Sequence, residues 1–328
     1  MSQEDACPTR RTAASILKRV AVTLFVAALL AWVLRQAWLE AGAINWRELQ
    51  MRPGLIALSI LLTLIAWVLH GALWAVMIRG LGYDLSLVGG IRGNLIGNLG
   101  NYIPGKIFII VLRAKIVACE GVPWMIVASS VVLETLLRNI VAALLAALGV
   151  WYLGVGGSYA GALALAVILS AIVVHPAVFN PLTDFVLRKM KRPPLPRHLR
   201  LGQVLALLGG YAVYWAIYAV AFWLLAAGTL NTDFTQLPGL AVSLFLSMIA
   251  SMLAVFTPVG LGVADATMAG VLAQTSVMAA PAVLAVIARV WRTLMEVATA
   301  GICWLLPGGV GGEVSGTTDG DEPACPGR

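Results

Sequence analysis

The chain has 328 residues, of which 60% are hydrophobic and 11% charged, with a formal net charge of +7 and a mean hydropathy of +0.92. Such values exclude a soluble globular domain and indicate an integral membrane protein. Its apolar runs reach about 20 residues, the length of a spanning helix, and lack the ten-residue alternation of outer-membrane strands, so the fold class is an all-α polytopic bundle.

The first 19 residues form a basic tail with Arg10, Arg11, Lys18 and Arg19, followed by an apolar stretch from Val20 to Leu34. This reads as an uncleaved first span in preference to a signal peptide, because the run exceeds a usual signal core and Arg35 and Trp38 mark an interfacial end. Further spans are expected at Leu55 to Met77, Val122 to Leu153, Ala160 to Val178, Leu201 to Leu230, Pro238 to Val255 and Pro281 to Leu306, making seven. The transmembrane region thus covers 20–306, and the Gly-rich polar stretch 307–328 cannot pack a core. Two further apolar segments, 87–112 and 257–277, are interrupted by Gly, Pro, Asn and charge.

Basic residues crowd the loop 182–200, with Arg188, Lys189, Lys191, Arg192, Arg197 and Arg200. The positive-inside rule places that loop and the N-terminus in the cytoplasm, hence an inner-membrane protein. Four spans lie between them, so 87–112 must enter and leave on one side, as a re-entrant segment. For 257–277 both readings stay open, re-entrant or spanning.

The interrupted segments look like versions of one device, a Pro with nearby Gly followed by a long helix carrying charge. Pro104 precedes Arg138 by 34 residues, and Pro258 precedes Arg292 by 34, which suggests an internal duplication. On the long helices, Glu134 and Arg138 share one face, as do Arg289, Arg292 and Glu296. A charge at the centre of a span costs about 2.5 to 3.5 kcal/mol even on insertion scales, so these five must face one another or a polar cavity. Glu134 and Arg138 could neutralise each other; Arg289 and Arg292 outnumber Glu296, and either Asp265 or a bound anion must make up the difference. Unwound backbone at Pro104, Gly105, Pro258, Gly260 and Gly262 is tolerated at membrane depth only where it lines such a cavity, and Lys106 and Arg113 add positive charge beside it.

No cofactor is expected. Cys7, Cys119, Cys303 and Cys325 have no ligand spacing, there is no hydrolase or metalloprotease motif, and His70, alone in an apolar run, reads as a helix-packing residue. The basic residues lie between apolar runs and form no patch for nucleic acid.

The stretch "NYIPGKI" with Arg113 after it, then "TPVGLGVAD" and "VIARVWRTLME", resembles the lysylphosphatidylglycerol synthase transmembrane-region family of flippase-like membrane proteins over residues 15 to 306. The resemblance implies handling of a membrane lipid that is anionic, glycosylated or isoprenoid. It matches Pro104, Gly105, Lys106 and Arg113 to one family turn, Pro258, Gly260, Gly262 and Asp265 to the other, and Arg289 and Glu296 to the last helix. Where the family often has Arg-Glu, this chain has Ala264-Asp265. The family's cytosolic aminoacyl-transferring domain is not seen, so lysyl transfer is not expected. The function read from the sequence is a lipid translocase or carrier. The alternatives are an accessory subunit partnering a lipid- or sugar-modifying enzyme, and an intramembrane enzyme.

Overall fold

The structure, a computed structural model, describes residues 51–102, 107–154, 161, 165, 168–169, 171–172, 175–189, 197–253, 262–275 and 281–305. Among them are α1 (Pro53–Gly80), α2 (Leu87–Gly97), α3 (Ile107–Val117), α4 (Trp124–Leu153), α5 (Pro176–Lys189), α6 (Leu201–Leu230), α7 (Leu237–Leu253), α8 (Val263–Gln274) and α9 (Pro281–Leu305), with no strand. The protein is an all-α polytopic membrane bundle. By length and composition α1, α4, α6 and α7, the last with the turn before it, can each cross a membrane. The expected first span lies outside the described residues, as does about half of the run from Ala160 to Val178.

The sequence of α1 shows why these helices want lipid. Its buried stripe holds Ser59, Thr63, Trp67, His70 and Trp74, whereas Leu58, Leu61, Ile65 and Val68 face outward. A soluble helix reverses this arrangement. Here the polar groups must be satisfied inside the protein because the surroundings cannot hydrogen-bond. Ser59 Oγ accordingly donates to the Ala221 carbonyl of α6 (2.7 Å), and Trp74 Nε1 to Ser130 Oγ of α4 (3.0 Å).

Neither α2 nor α3 can cross: 11 residues each give about 16 Å at 1.5 Å per residue, half a bilayer core. They form an antiparallel pair joined through a 3-10 turn at Asn98–Tyr102. Ser86 meets Glu120, Gly93 lies by Val117, Gly97 by Arg113 and Gly100 by Ile109. Close approach explains the glycines. A Cβ at Gly97 would strike the Arg113 side chain, and one at Gly90 would strike Ala75 and the Gly71 carbonyl of α1.

The duplication expected from the Pro-to-Arg spacing has a structural counterpart. The order long helix, short helix pair, long helix occurs as α1, α2–α3, α4 and again as α6, α7–α8, α9. Packing is reciprocal, since α4 of the first half rests on α7 and α9 of the second half rests on α2. Trp67, His70 and Trp74 of α1 recur at identical spacing as Trp215, Tyr218 and Phe222 of α6, offset by 148 residues. The offset grows to 154 at Arg138 and Arg292, and α7 is six residues longer than α2.

The repeat is inverted. Arg52 N–H donates to the Gly228 carbonyl (2.8 Å), Ser59 bonds Ala221, and Gly80 abuts Leu199, so α1 and α6 run antiparallel. Facing residues in this pair have numbers that sum to about 280. Combined with the offset of 148, that places the centre of the pair at Ala66 and Tyr214.

Candidate functional site

Two polar clusters occupy the interior. The first joins four helices through His70, Asn94, Arg113 and Glu134, none more than 2% exposed. Arg113 Nη1 and Nη2 both donate to the Glu134 carboxylate, and Nη2 also donates to Asn94 Oδ1 (2.6 Å). His70 Nε2 lies 2.5 Å from Glu134 Oε1, and its Nδ1 lies 3.3 Å from Asn94 Nδ2. The guanidinium stands over the Trp74 ring, 4.8 Å from its centroid.

Proton positions follow from this geometry. A guanidinium has only donors, so the Asn94 atom facing it is the oxygen, and the amide nitrogen must donate to His70 Nδ1. The histidine then carries its proton on Nε2 and gives it to Glu134. One arginine, one carboxylate and one neutral imidazole leave no net charge. A second proton on His70 would set N–H against N–H₂ at Asn94. The cluster is therefore a clamp that holds α1, α2, α3 and α4 together, with Arg113 Nε its one donor left without a partner among the described residues.

Glu134 and Arg138, which could have neutralised each other, do not pair. Glu134 is taken by Arg113 and His70, and Arg138, four residues along the same helix, pairs with no carboxylate among the described residues. His70 does more than pack. Asn94, which was not singled out from the sequence, completes the network; the signal available for it was a buried amide amid glycines.

The second cluster lies in the other half. Arg289 pairs with Asp265, through Nε to Oδ1 at 3.0 Å and through Nη2, and Arg292 Nε donates to Glu296 Oε1 at 3.0 Å. Asp265 thus makes up the shortage of negative charge opposite the two arginines. Glu296 also accepts from the Tyr102 hydroxyl (2.8 Å), at the end of the 3-10 turn that follows α2. Asp265 holds the start of α8 as well, accepting from the Gly262 N–H at 3.0 Å, which is half of a capping box.

Gly262 has φ +80°, and a Cβ there would meet nothing within 4 Å. Its requirement for glycine is therefore backbone conformation. Pro104, Gly105, Lys106, Pro258 and Gly260 lie outside the described residues.

Between these ion pairs lies a cavity of about 50 Å³, lined among others by Tyr218, Met248, Asp265, Arg289, Trp291 and Arg292. Trp291 and Tyr218 stack at 6.1 Å, and Tyr218 stacks on Tyr214 at 5.9 Å, making an aromatic row along α6 to α9. Arg292 Nη1 reaches Met248 Sδ at 3.1 Å, a weak acceptor for a guanidinium. The wall is thus apolar and aromatic with two arginines in it, a lining suited to an anionic group on an apolar body. No group of three or more metal-ligating side chains occurs among the described residues.

A family model for the lysylphosphatidylglycerol synthase TM region matches residues 17–301. The chain belongs to that family. Both clusters of this lysylphosphatidylglycerol synthase TM-region protein fall within the matched residues, and membership agrees with a membrane role connected with lipid. No curated protein and no solved structure matches the chain.

Proposed function

We propose that the protein translocates or carries an anionic, phosphate-bearing lipid across or within the inner membrane, and that the headgroup enters the cavity between α6, α7, α8 and α9. The observation that carries this reading is one cavity combining Arg289, Arg292, Tyr218 and Trp291 with a partly exposed carboxylate, Asp265. An incoming phosphate competes with Asp265 for Arg289, so binding exchanges one anion for another and no bare cation has to be buried. The inverted repeat supports the same reading, because two halves of opposite orientation offer similar surfaces to both sides of the membrane.

Turnover of the lipid is less well supported than movement. Glu134, Asp265 and Glu296 are each held by an arginine, and His70 is locked between Asn94 and Glu134, so none is poised as a general base. In this reading the N-terminus and the basic loop 182–200 lie in the cytoplasm.

The test is lipid co-purification. Protein extracted in mild detergent should carry anionic phospholipid above its membrane abundance, and Arg292→Ala should be depleted of it. Equal lipid profiles for the two proteins would remove Arg292 and the cavity from the binding role.

A further inference from the structure

Three interior carboxylates, Glu134, Asp265 and Glu296, pair with Arg113, Arg289 and Arg292. Arg138 remains. Its side chain is half-buried and has no hydrogen bond or ion pair among the described residues. It stands at the middle of the 30-residue helix α4, about 15 Å from either edge of a 30 Å core, beyond the reach of a side chain seeking headgroups.

Glu134, one turn away on α4, is taken by Arg113 and His70. Arg138 lies against α6, where Trp215 Nε1 donates to its backbone carbonyl at 2.8 Å, and Tyr211 stands one turn before Trp215 on that helix. Tyr211 is fully buried, and its hydroxyl has no hydrogen-bond partner among the described residues. An uncompensated cation and an unpaired hydroxyl at this depth are each costly, which calls for a missing acceptor.

The second half repeats the arrangement. Arg292, the counterpart of Arg138 in the repeat, stands at the middle of α9, and beside it Trp291 Nε1 is buried and likewise unpartnered. The charges of both arginines act on Tyr214, the centre of the α1–α6 pair. Each half therefore sets one midplane arginine and one orphaned aromatic donor at an end of the row Tyr214, Tyr218, Trp291.

We propose that Arg138 and the Tyr211 hydroxyl form a second anion-binding position, the counterpart across the repeat of the one at Arg292. The oxygens of a phosphate or phosphodiester would accept from the guanidinium and the phenol, and the aromatic row would separate the two positions. The ligand class rests on the function proposed above; the existence of the position rests on Arg138 and Tyr211.

Native mass spectrometry of the full chain in detergent, titrated with dihexanoylphosphatidylglycerol, tests the proposal. Wild type should bind two molecules, Arg138→Gln one and Arg292→Gln one, with affinity at the lost position down at least about tenfold; Arg138→Lys should retain part of it. Two molecules on Arg138→Gln overturn the proposal. One molecule on wild type, lost only in Arg292→Gln, overturns it while leaving the proposed function standing; none on wild type removes both. Inorganic phosphate in a parallel titration separates the sources: Arg138-dependent binding of phosphate alone supports an anion position filled from solution, and dependence on the lipid supports a headgroup position. Arg138→Gln should unfold at the wild-type temperature or above it. A marked fall would mean that the charge has a structural partner and would overturn the proposal by another route.

Discussion

The hydroxyl of Tyr102 donates a 2.8 Å hydrogen bond to Glu296, 194 residues away, and so ties the broken segment of one half to the charged helix of the other. Glu296 holds Arg292 with its other oxygen, so a shift of the turn at Asn98–Tyr102 changes what Arg292 can offer to a ligand. Tyr102→Phe should cost about 1.5 to 3 kcal/mol, the range for a hydrogen bond to a charged group. A double-mutant cycle with Glu296→Gln should return a coupling of at least about 0.5 kcal/mol in thermal or denaturant unfolding. Strict additivity would mean that the contact does not link the halves.

The clamp around Glu134 should respond differently to each of its members. Glu134→Gln leaves Arg113 buried without its counter-ion and should destabilise by about 3 to 5 kcal/mol. Arg113→Lys should not restore wild-type stability, because an ammonium cannot donate in parallel to Glu134 and also reach Asn94. His70→Phe leaves the arginine pair intact and should cost less, about 1 to 3 kcal/mol. The order of unfolding temperatures in detergent checks this; a neutral Glu134→Gln would sink the clamp.

How much of this was open to sequence reasoning depended on the cost of each group. Five charges at membrane depth are too expensive to ignore, so Glu134, Arg138, Arg289, Arg292 and Glu296 stood out, and the equal Pro-to-Arg spacings exposed the duplication. The choice of partner did not stand out. Helical spacing brings Arg138 beside Glu134, but the bidentate geometry offered from α3 by Arg113 prevails, and that depends on how the α2–α3 pair packs on α1 and α4. Asn94 and His70 are uncharged and raise no comparable alarm. The inverted sense of the repeat needed the antiparallel contact of α1 with α6, which spacing alone does not carry.

At the start of α8, Asp265 has two roles that substitutions can separate. Asp265→Asn keeps an acceptor for the Gly262 N–H but removes the carboxylate charge facing Arg289, and it should lower stability by about 1 to 2 kcal/mol, less than for a fully buried pair because Asp265 is partly exposed. Asp265→Glu should be mild, since Glu at this position also reaches back to the helix start. Silence of Asp265→Asn in both unfolding and lipid retention would contradict the ion-pair account of the cavity.

Gly262 gives a purely conformational test. With φ at +80° and open space around it, Gly262→Ala should cost about 1 to 2 kcal/mol of backbone strain. Gly262→Asn should cost as much, because at ψ −47° the residue lies outside the left-handed helical well that Asn tolerates. Equal stability of both variants with wild type, measured by thermal unfolding, would show that the turn relaxes at no cost.

Flux in proteoliposomes tests most directly whether the cavity beside Arg292 conducts an anionic headgroup. Full-length protein reconstituted with a fluorescent phosphatidylglycerol in one arm and a fluorescent phosphatidylcholine in the other is probed by chemical quenching of the outer leaflet. Phosphatidylglycerol should exchange faster than in protein-free vesicles, phosphatidylcholine should be little affected, and the acceleration should be lost in Arg292→Gln protein that unfolds at the wild-type temperature. Equal acceleration of both lipids, or full activity in Arg292→Gln, would contradict conduction of the headgroup through that cavity.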